Sequence, residues 1–463
     1  MVTTSRRPLP VVADDYCKGC GRCIAACAKH CLSFGHELDP ATGLVPIHLD
    51  LTDCNGCGLC VEACPEPYGL QAGDPVAFEP EDPAGCLGPR HSTAPEPVEI
   101  PGHEVDVASR TPLLVKGTYA AALGALLAGC RHVYGYPITP STEGAELCAR
   151  LLPDLGGTFV QAVSEVATVN MLYGAGGAGR RAMTFTSSPG FSLMLEGISY
   201  LIGAEVPAVI VNVMRAGPGL GNIGPEQGDV KLVCRGLGHG NTHAIVLAPS
   251  TPQEMLDLTM EAFDLAFAYR NPVIVVADGY LGQMTGVVKL PTHAVVPGTP
   301  AWAVTGDLGH RANLICSIEL SERALEHHNE SLCAKYDAMT RATQRSERYH
   351  CDDAEILIVA ANTPARLAKG AVAELRHGGV AAGLFRPITL WPFPIDDLIP
   401  LLPHVRHLVV AEASAGQLED ELRLALSHAG VNPPSISHVR RMGGVLPSSD
   451  EVVAHVTSLE EGR

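Results

Sequence analysis

Hydrophobic and polar residues follow a regular pattern over most of the chain. From about Leu113, short apolar runs alternate with Ala- and Gly-rich segments that have the character of helices. Strands that alternate with helices are typical of a parallel, doubly wound sheet. The predicted strands are 131–136, 181–186, 208–214, 244–248 and 273–277, and the predicted helices include 119–129, 165–174 and 253–268.

The same alternation returns, on a smaller scale, at the end of the chain. Residues 355–361, 380–387 and 407–412 are predicted strands, and 364–376 and 417–428 are predicted helices. The polar segment 321–349 between the two regions predicts a connecting helix or helix pair with no strand. A smaller α/β domain therefore closes the chain.

The first quarter of the chain has neither pattern. It is rich in cysteine, and seven prolines follow it between positions 75 and 101, which is typical of a linker that few contacts cross. The predicted segments are 1–75, a proline-rich linker 76–110, a first α/β domain 111–290, a connecting segment 291–350 and a second α/β domain 351–463.

Composition and charge narrow the classes of function. The 463 residues are 46% hydrophobic and 18% charged, with a formal net charge of −18, which argues against binding to nucleic acid or to anionic membranes. The most apolar run, 200–214, is interrupted by Glu205 and Pro207, and no charged-then-apolar leader begins the sequence, so neither a membrane span nor a signal peptide is expected. We expect a cytoplasmic protein.

Eight of the 16 cysteines form two runs with the spacing Cys-x2-Cys-x2-Cys-x3-Cys. This is the bacterial ferredoxin run, in which the fourth cysteine of each run ligates the other cluster. A structural zinc site is the alternative, although zinc favours pairs of Cys-x2-Cys. Cys31 and Cys86 are expected bystanders. The predicted ligands are Cys17, Cys20, Cys23 and Cys64 for one [4Fe–4S] cluster, and Cys54, Cys57, Cys60 and Cys27 for the other.

The candidate chemistry lies in the segment 134–143, followed by 161–165. An apolar strand there turns at its carboxyl end and enters a helix that Ser141 or Thr142 is predicted to cap. In open α/β sheets ligands bind at such strand ends. The alternative is a well-capped turn with no ligand.

These motifs resemble the α subunit of the 2-oxoacid:ferredoxin oxidoreductases, most closely the branched-chain (2-oxoisovalerate) type, with the ferredoxin-like δ subunit fused in front. The resemblance implies a fold in which an α+β ferredoxin domain with two [4Fe–4S] clusters precedes a thiamine-diphosphate-enzyme pyrimidine-type α/β domain and a transketolase C-terminal-like α/β domain. It depends on the segments 135–143, 161–165, 186–190, 212–223, 236–240 and 384–394.

The resemblance also implies the reaction and the site. A 2-oxoacid, for instance 3-methyl-2-oxobutanoate, is oxidatively decarboxylated with coenzyme A to acyl-CoA and CO2, by Mg²⁺–thiamine diphosphate, with electrons passing to ferredoxin in anaerobic metabolism. Glu165 is the implied partner of the aminopyrimidine ring, Thr139 faces the substrate, and Arg215 meets its carboxylate, for which a planar guanidinium is well suited. The implied cofactor-binding residues are Tyr136, Pro137, Ile138, Thr139, Glu165 and Ser188.

One family motif is missing from the sequence. No Gly-Asp-Gly is followed by Asn some 25 residues later, which is the pattern that the resemblance assigns to Mg²⁺–diphosphate binding. We therefore expect a β subunit to supply that half of the site, a γ subunit to complete a hetero-oligomer, and the lone chain to be inactive. Two alternatives stay open: an aryl 2-oxoacid oxidoreductase of the phenylglyoxylate type, and an electron-transfer scaffold that no longer binds thiamine.

Overall fold

The computed structural model describes residues 8–14, 17–38, 44–66, 69–73, 97–107 and 112–461. The chain divides into two compact units. The first comprises the described part of 1–90 with Gly306–Leu314 and Ile318–Leu325, and the second comprises the rest. Within the described ranges, no helix is both long and apolar enough to cross a membrane.

The first unit contains a twofold repeat of short elements. Each repeat has a strand, a helix and a strand, and strands from different repeats pair in antiparallel fashion, β1 with β4 and β2 with β3. The elements are β1 (Pro10–Val12), α1 (Arg22–Ala26), β2 (Leu32–Phe34), β3 (Ile47–Leu49), α2 (Leu59–Glu62) and β4 (Leu70–Ala72).

The second unit begins with two strands that pair outside the main sheets. β5 (Gly102–Asp106) pairs with β14 (His293–Pro297), and β6 (Leu113–Lys116) pairs with β13 (Thr285–Val288), both antiparallel. Strand β5 lies within the predicted linker, and its five residues are all exposed, so it leaves no hydrophobic signal in the sequence.

A seven-stranded sheet forms the centre of the second unit. Its order is β18-β11-β12-β10-β9-β7-β8, and all pairs are parallel except β18 with β11. Strands β10 and β12 are buried along their whole length, as expected for continuous apolar strands covered on both faces. The strands are β7 (His132–Gly135), β8 (Thr158–Gln161), β9 (Ala182–Thr186), β10 (Ala208–Met214), β11 (Ile245–Leu247), β12 (Pro272–Asp278) and β18 (Thr389–Trp391).

Helices cover this sheet. The longest, α8, begins at Pro252 after the N-cap Thr251, whose hydroxyl accepts a 3.1 Å hydrogen bond from the Glu254 backbone N–H. The helices are α3 (Gly117–Leu127), α4 (Thr142–Leu151), α5 (Glu165–Gly177), α6 (Ser188–Gly203), α7 (Val230–Arg235), α8 (Pro252–Tyr269) and α9 (Gly279–Gln283).

The C-terminal α/β domain has a five-stranded sheet of order β15-β17-β16-β19-β20, parallel except for the edge strand β15. The prediction of no strand in 321–349 is wrong for Ser346–Tyr349, because this polar edge strand lacks an apolar face. The remaining elements are α10 (Glu322–Thr343), β15 (Ser346–Tyr349), β16 (Ile356–Val359), α11 (Asn362–His377), β17 (Ala382–Pro387), α12 (Ile395–Leu398), β19 (His407–Glu412), α13 (Gln417–His428), β20 (Ser435–Arg440) and α14 (Ser449–Glu461).

Buried polar groups join this domain to the main sheet. Arg386, only 2% exposed, forms two hydrogen bonds of 2.6 and 3.0 Å to the Glu254 carboxylate and one of 2.6 Å to Glu347. The Asp278 carboxylate at the end of β12 accepts bonds of 2.9 Å from the backbone N–H and the hydroxyl of Thr363. The domains of the second unit thus share a bonded interface.

Candidate active site

The predicted site residues follow four neighbouring strands of the main sheet. Tyr136–Thr139 follow β7, Glu165 follows β8, Ser188 follows β9, and Arg215 follows β10. Since these strands are parallel and adjacent, their carboxyl ends lie along one edge of the sheet. The fold brings residues from distant parts of the sequence to this edge.

Glu165 is the first residue of α5, directly after its N-cap. The Ser164 hydroxyl accepts a 3.2 Å hydrogen bond from the Ala167 backbone N–H, which fixes the start of the helix. Glu165 is only 5% exposed, and within the described part of the chain no donor is hydrogen-bonded to its carboxylate. A buried carboxylate without a donor can accept one from a ligand.

Two hydroxyls at the end of β9 are also buried without a partner among the described residues, those of Thr186 and Ser187. Thr186 Oγ1 and Glu165 Oε1 each lie 2.5 Å from the point where a Cβ on Gly190 would stand. Any side chain at 190 would therefore collide with both. Gly190 thus lets the Glu165 carboxylate and the Thr186 hydroxyl pack against its backbone, and both polar groups keep a hydrogen-bonding capacity that a ligand with donors and acceptors, such as an aminopyrimidine, could use. Gly190 and Thr186 are site residues that sequence reasoning did not single out, although its 186–190 motif contains both.

Arg215 is held by backbone groups of two loops. Its Nη1 donates to the Thr139 carbonyl at 3.0 Å, and its Nη2 donates to the Leu220 carbonyl at 3.2 Å. Its Nε has no hydrogen-bond partner among the described residues. The structure therefore brings Arg215 and Thr139 together and leaves the guanidinium with a donor to offer.

Ser188 is hydrogen-bonded to the backbone of Arg215. Its hydroxyl donates to the Asp229 carboxylate at 2.6 Å and accepts from the Arg215 backbone N–H at 3.0 Å. Asn212 donates to the same Asp229 oxygen at 2.9 Å. Burial raises the pKa of Asp229, and the bonds from Ser188 and Asn212 partly offset that rise. Asp229 was missed by sequence reasoning because no motif surrounds it.

The turn that carries Thr139 is also hydrogen-bonded to residues outside the two arginine-binding loops. Gln283 donates to the Pro140 carbonyl at 2.9 Å, and Lys116 bridges Gln283 and Glu143 at 3.2 and 2.6 Å. Helix α4 begins at Thr142 with Ser141 at its N-cap position, but neither predicted capping residue caps it through its side chain. The Ser141 hydroxyl donates instead to the Ile138 carbonyl at 2.8 Å.

Tyr136 and Pro137 are exposed, Ile138 is half-buried, and Thr139 is exposed. An open cavity lies beside this turn, since Gln283 lines it. Its other lining residues are Ile223, Pro225, Gly279, Tyr280, Met284 and Thr285.

In the first unit, one cavity is lined by the four cysteines that were assigned to the first cluster, Cys17, Cys20, Cys23 and Cys64. Burial raises the pKa of the Cys23 thiol, and the proximity of Cys64 and Cys17 adds to the rise. Four thiols around one cavity are the donor set of an iron–sulfur cluster.

Three cysteines of the second set, Cys27, Cys54 and Cys60, lie close to one another. Burial raises the pKa of the Cys60 thiol, and the nearby Cys27 and Cys54 thiols add to the rise. The fourth cysteine of the first run thus lies near the second run, as crossed ligation requires. The buried Cys31 donates its backbone N–H to Cys27 Sγ at 3.4 Å.

Three family models match successive parts of the chain. Residues 16–67 match "4Fe-4S dicluster domain", 123–303 match "Pyruvate flavodoxin/ferredoxin oxidoreductase, thiamine diP-bdg", and 354–452 match "Pyruvate:ferredoxin oxidoreductase core domain II". The predicted fold class and the prediction of thiamine diphosphate and iron–sulfur clusters as cofactors are thereby confirmed.

Individual proteins are similar over long stretches. The ketoisovalerate oxidoreductase subunit VorB of Methanothermobacter thermautotrophicus is 48% identical over 345 residues, which are 74% of this chain and 96% of that protein. The 2-oxoglutarate synthase subunit KorA of Archaeoglobus fulgidus is 40% identical over 317 residues, 67% of this chain and 90% of that protein.

A solved structure, the 2-oxoglutarate:ferredoxin oxidoreductase from Magnetococcus marinus with 2-oxoglutarate, coenzyme A and succinyl-CoA bound, superimposes with a TM-score of 0.67 at 26% identity. The match covers 75% of this chain and 65% of that one. Together with the sequence identities, it shows that the chain belongs to the 2-oxoacid:ferredoxin oxidoreductases, as one subunit of a multi-subunit enzyme.

Proposed function

We propose that this chain is the α-type subunit, fused to its own ferredoxin-like domain, of an enzyme that oxidatively decarboxylates a branched-chain 2-oxoacid such as 3-methyl-2-oxobutanoate. The 2-oxoacid and coenzyme A become acyl-CoA and CO2, and two electrons pass through the clusters to ferredoxin. The greater identity to a ketoisovalerate enzyme than to a 2-oxoglutarate enzyme supports this substrate class. The open cavity next to the turn that carries Thr139 has Ile223, Pro225 and Met284 in its lining, and these apolar side chains are compatible with a branched hydrocarbon chain.

The observation that carries the proposal is the buried Glu165 carboxylate, to which no donor of the described residues is hydrogen-bonded, close to the Thr186 hydroxyl, which is also without a partner among them. Thiamine diphosphate, when bound, supplies the electron sink for decarboxylation. Glu165 would hold a proton against its aminopyrimidine ring, a role that needs a carboxylate with no competing donor. Tyr136, Pro137, Ile138, Thr139 and Ser188 are proposed to complete the cofactor-binding wall.

Arg215 is proposed to bind the carboxylate of the 2-oxoacid. Among the described residues its Nε has no partner, and its two Nη groups are already oriented by the Thr139 and Leu220 carbonyls, so little side-chain freedom is lost when the substrate binds. Thr139, in the same turn, would face the substrate.

The cluster ligands are proposed as Cys17, Cys20, Cys23 and Cys64 for one cluster and Cys54, Cys57, Cys60 and Cys27 for the other. Such clusters need thiolates in a reducing compartment, which favours the cytoplasm. External ferredoxin is the proposed acceptor.

A β subunit is proposed to supply the Mg²⁺–diphosphate half of the site, and a γ subunit to complete the complex. Large apolar side chains close to Glu165 in the sequence and on the adjacent helix are exposed, as a partner surface would be. They include Val163, which is 87% exposed, with Val166, Met171 and Leu193.

The test is an assay of the purified complex, coexpressed with its partner subunits, using a panel of 2-oxoacids, coenzyme A and a viologen acceptor. We expect the highest kcat/KM with 3-methyl-2-oxobutanoate. Highest activity with phenylglyoxylate would establish the aryl alternative instead. A complex that passes electrons from reduced ferredoxin to viologen, but oxidises none of the 2-oxoacids and does not bind thiamine diphosphate, would support the scaffold alternative.

A further inference from the structure

The loop that follows Arg215 is bonded to a loop of the C-terminal α/β domain. We call residues 217–223 the arginine loop and residues 441–445, the first part of the connection from β20 to α14, the C-terminal loop. Glu226 joins them: one carboxylate oxygen accepts from the Gly217 backbone N–H at 2.7 Å, and the other accepts from the Gly443 backbone N–H at 3.1 Å. Glu226 is 6% exposed, so these bonds are shielded from water.

A second residue repeats the connection. Asn222 donates to the Gly443 carbonyl at 3.0 Å and accepts from the Gly224 backbone N–H at 2.7 Å. The loops approach so closely that a Cβ on Gly444 would stand 2.7 Å from Asn222 Oδ1. Gly444 also has φ of +93°, which side chains rarely adopt.

The arginine loop in turn determines how Arg215 is held. Leu220, at the centre of the loop, provides one of the two carbonyls that accept from the guanidinium. The loop closes on itself through 3.0 and 3.1 Å bonds of Ala216 with Gly224 and Asn222. A displacement of Gly217 or Asn222 would therefore move the Leu220 carbonyl.

We propose that Glu226 is a positioning residue for Arg215, through which the C-terminal domain sets how the enzyme recognises the carboxylate of its 2-oxoacid. The inference depends on the proposed role of Arg215. The C-terminal domain would then take part in substrate binding indirectly, because its loop is hydrogen-bonded to the arginine loop and to Glu226 and not to Arg215 itself.

The chemistry of Glu226 suggests a sharp substitution. A carboxylate can accept at both oxygens, and here each oxygen has a backbone donor from a different domain. In Glu226→Gln, one carboxylate oxygen is replaced by an NH2 group, which cannot accept a hydrogen bond from either backbone N–H. One charge-assisted bond is lost, so we expect the KM for the 2-oxoacid to rise about tenfold or more in the assembled complex, with smaller changes in kcat and in the KM for coenzyme A.

A second variant probes the same contact from the other domain. Gly444→Ala should push Asn222 and the arginine loop away, and the KM for the 2-oxoacid should again rise. Because the two substitutions lie in different domains, a folding failure of one leaves the other as a test.

Gln227 offers a matched control. It is the next residue, is buried, and bridges the same two domains through bonds to the Ala361 carbonyl, Asn362 and the Ala413 backbone N–H, none of which belongs to the arginine loop. Gln227→Leu should lower thermal stability and leave the KM for the 2-oxoacid unchanged.

An equal rise of KM in Gln227→Leu would overturn the inference, as would an unchanged KM in a folded Glu226→Gln or Gly444→Ala complex. Arg215→Lys in the same assay separates this failure from failure of the proposed function. If Arg215→Lys raises the KM and Glu226→Gln does not, only the inference fails. If Arg215→Lys leaves the KM unchanged, the proposed role of Arg215 fails as well.

Discussion

The first unit and the seven-stranded sheet are stabilised by different means. Among the described residues, the buried core of the first unit consists of three cysteines, Cys23, Cys31 and Cys60, with three aliphatic side chains. In the sheet, by contrast, β10 and β12 alone bury seven residues each. A core as small as the first rarely stabilises a domain without metal or cross-links, whereas the second is large enough to hold a site in place before any cofactor binds.

The largest effect should follow removal of iron. Chelation under reducing conditions should unfold the first unit, since cluster binding supplies the folding free energy that its core lacks. The main sheet should stay folded. Hydrogen exchange followed by mass spectrometry checks this: peptides from 17–66 should lose protection, and those from 208–214 and 272–278 should keep it. Retained protection in 17–66 without iron would contradict the comparison.

Single cysteine substitutions sharpen the same point. Cys27→Ala should remove the cluster that Cys54, Cys57 and Cys60 share with it, so iron should fall from about eight to about four atoms per chain. Cys31→Ala is the control and should keep about eight. Iron analysis and EPR of anaerobically purified protein measure both, and loss of the other cluster in Cys27→Ala would refute the crossed assignment.

On the sheet, a substitution in the site should change chemistry and not folding. Glu165→Gln should slow proton transfer at the bound cofactor by about 10²–10⁴-fold, the usual contribution of a positioned acid–base group. Exchange of the thiazolium C–H with solvent deuterium, measured in the assembled complex, reports this step. Glu322→Gln, which alters an acidic residue at the same position of helix α10, should leave the rate unchanged. If Glu165 only stabilises its helix, the two variants will behave alike.

A substitution at the interface of the two domains of the second unit should lower stability without acting directly on the chemistry. Arg386→Met removes the cation from a buried cluster and leaves Glu254 and Glu347 without it, which should cost about 3–5 kcal/mol in the free energy of unfolding. Trp302 and Trp391, the two tryptophans of the chain, both lie in the second unit and report its denaturant unfolding. Iron content should not change, and a cost below about 1 kcal/mol would show that the cluster contributes little.

The stabilisation by Arg386 and its two carboxylate partners, Glu254 and Glu347, should depend on pH. Burial would raise the pKa of Glu254, but its bonds to Arg386 outweigh that effect and hold the pKa below the usual 4.5. Burial would likewise raise the pKa of Glu347, but its bonds to Lys369 and Arg386 lower it. Because these pKa values are lowered on folding, the stabilisation is fully present above about pH 4.5 and is lost as the pH falls through the folded values. The difference in unfolding free energy between wild type and Arg386→Met should therefore shrink in acid.

The smallest predicted effect is that of a helix cap. Thr251→Ala removes the acceptor of the Glu254 backbone N–H and should cost about 1 kcal/mol. Thr251→Ser keeps a hydroxyl and should restore most of it. Denaturant unfolding at neutral pH measures both, and an equal loss in Ala and Ser would mean that the methyl group, not the cap, matters.

Local patterns determined what could be predicted. Continuous apolar runs located β10 within its observed bounds, and α13 and β19 begin and end where the sequence pattern places them. The cysteine spacing selected four thiols that line one cavity. Each of these signals lies within a few consecutive residues or in a repeated spacing.

Features that depend on distant partners were not predicted. Asp229 and Glu226 stand outside any recognised motif, and their roles emerge only when the folded chain brings Ser188 and Gly443 to them. The exposed strand β5 and the polar strand β15 lack an apolar face, so periodicity could not reveal them. Ser141 has the composition of a cap, but a nearby carbonyl competes for its hydroxyl.

The short strand Thr389–Trp391 has a consequence for anyone who divides this protein into pieces. It comes from the C-terminal part of the chain, yet it forms the edge of the main sheet by pairing with β11. A fragment that stopped after residue 350 would expose β11, whose three residues are aliphatic and buried in the whole chain. The backbone N–H and C=O groups on its edge would then be unpaired, and such edges pair with strands of other molecules. For expression and for the design of chimaeras, a division before residue 97 therefore keeps β5 paired with β14 and β18 paired with β11, whereas a division between the two α/β domains does not.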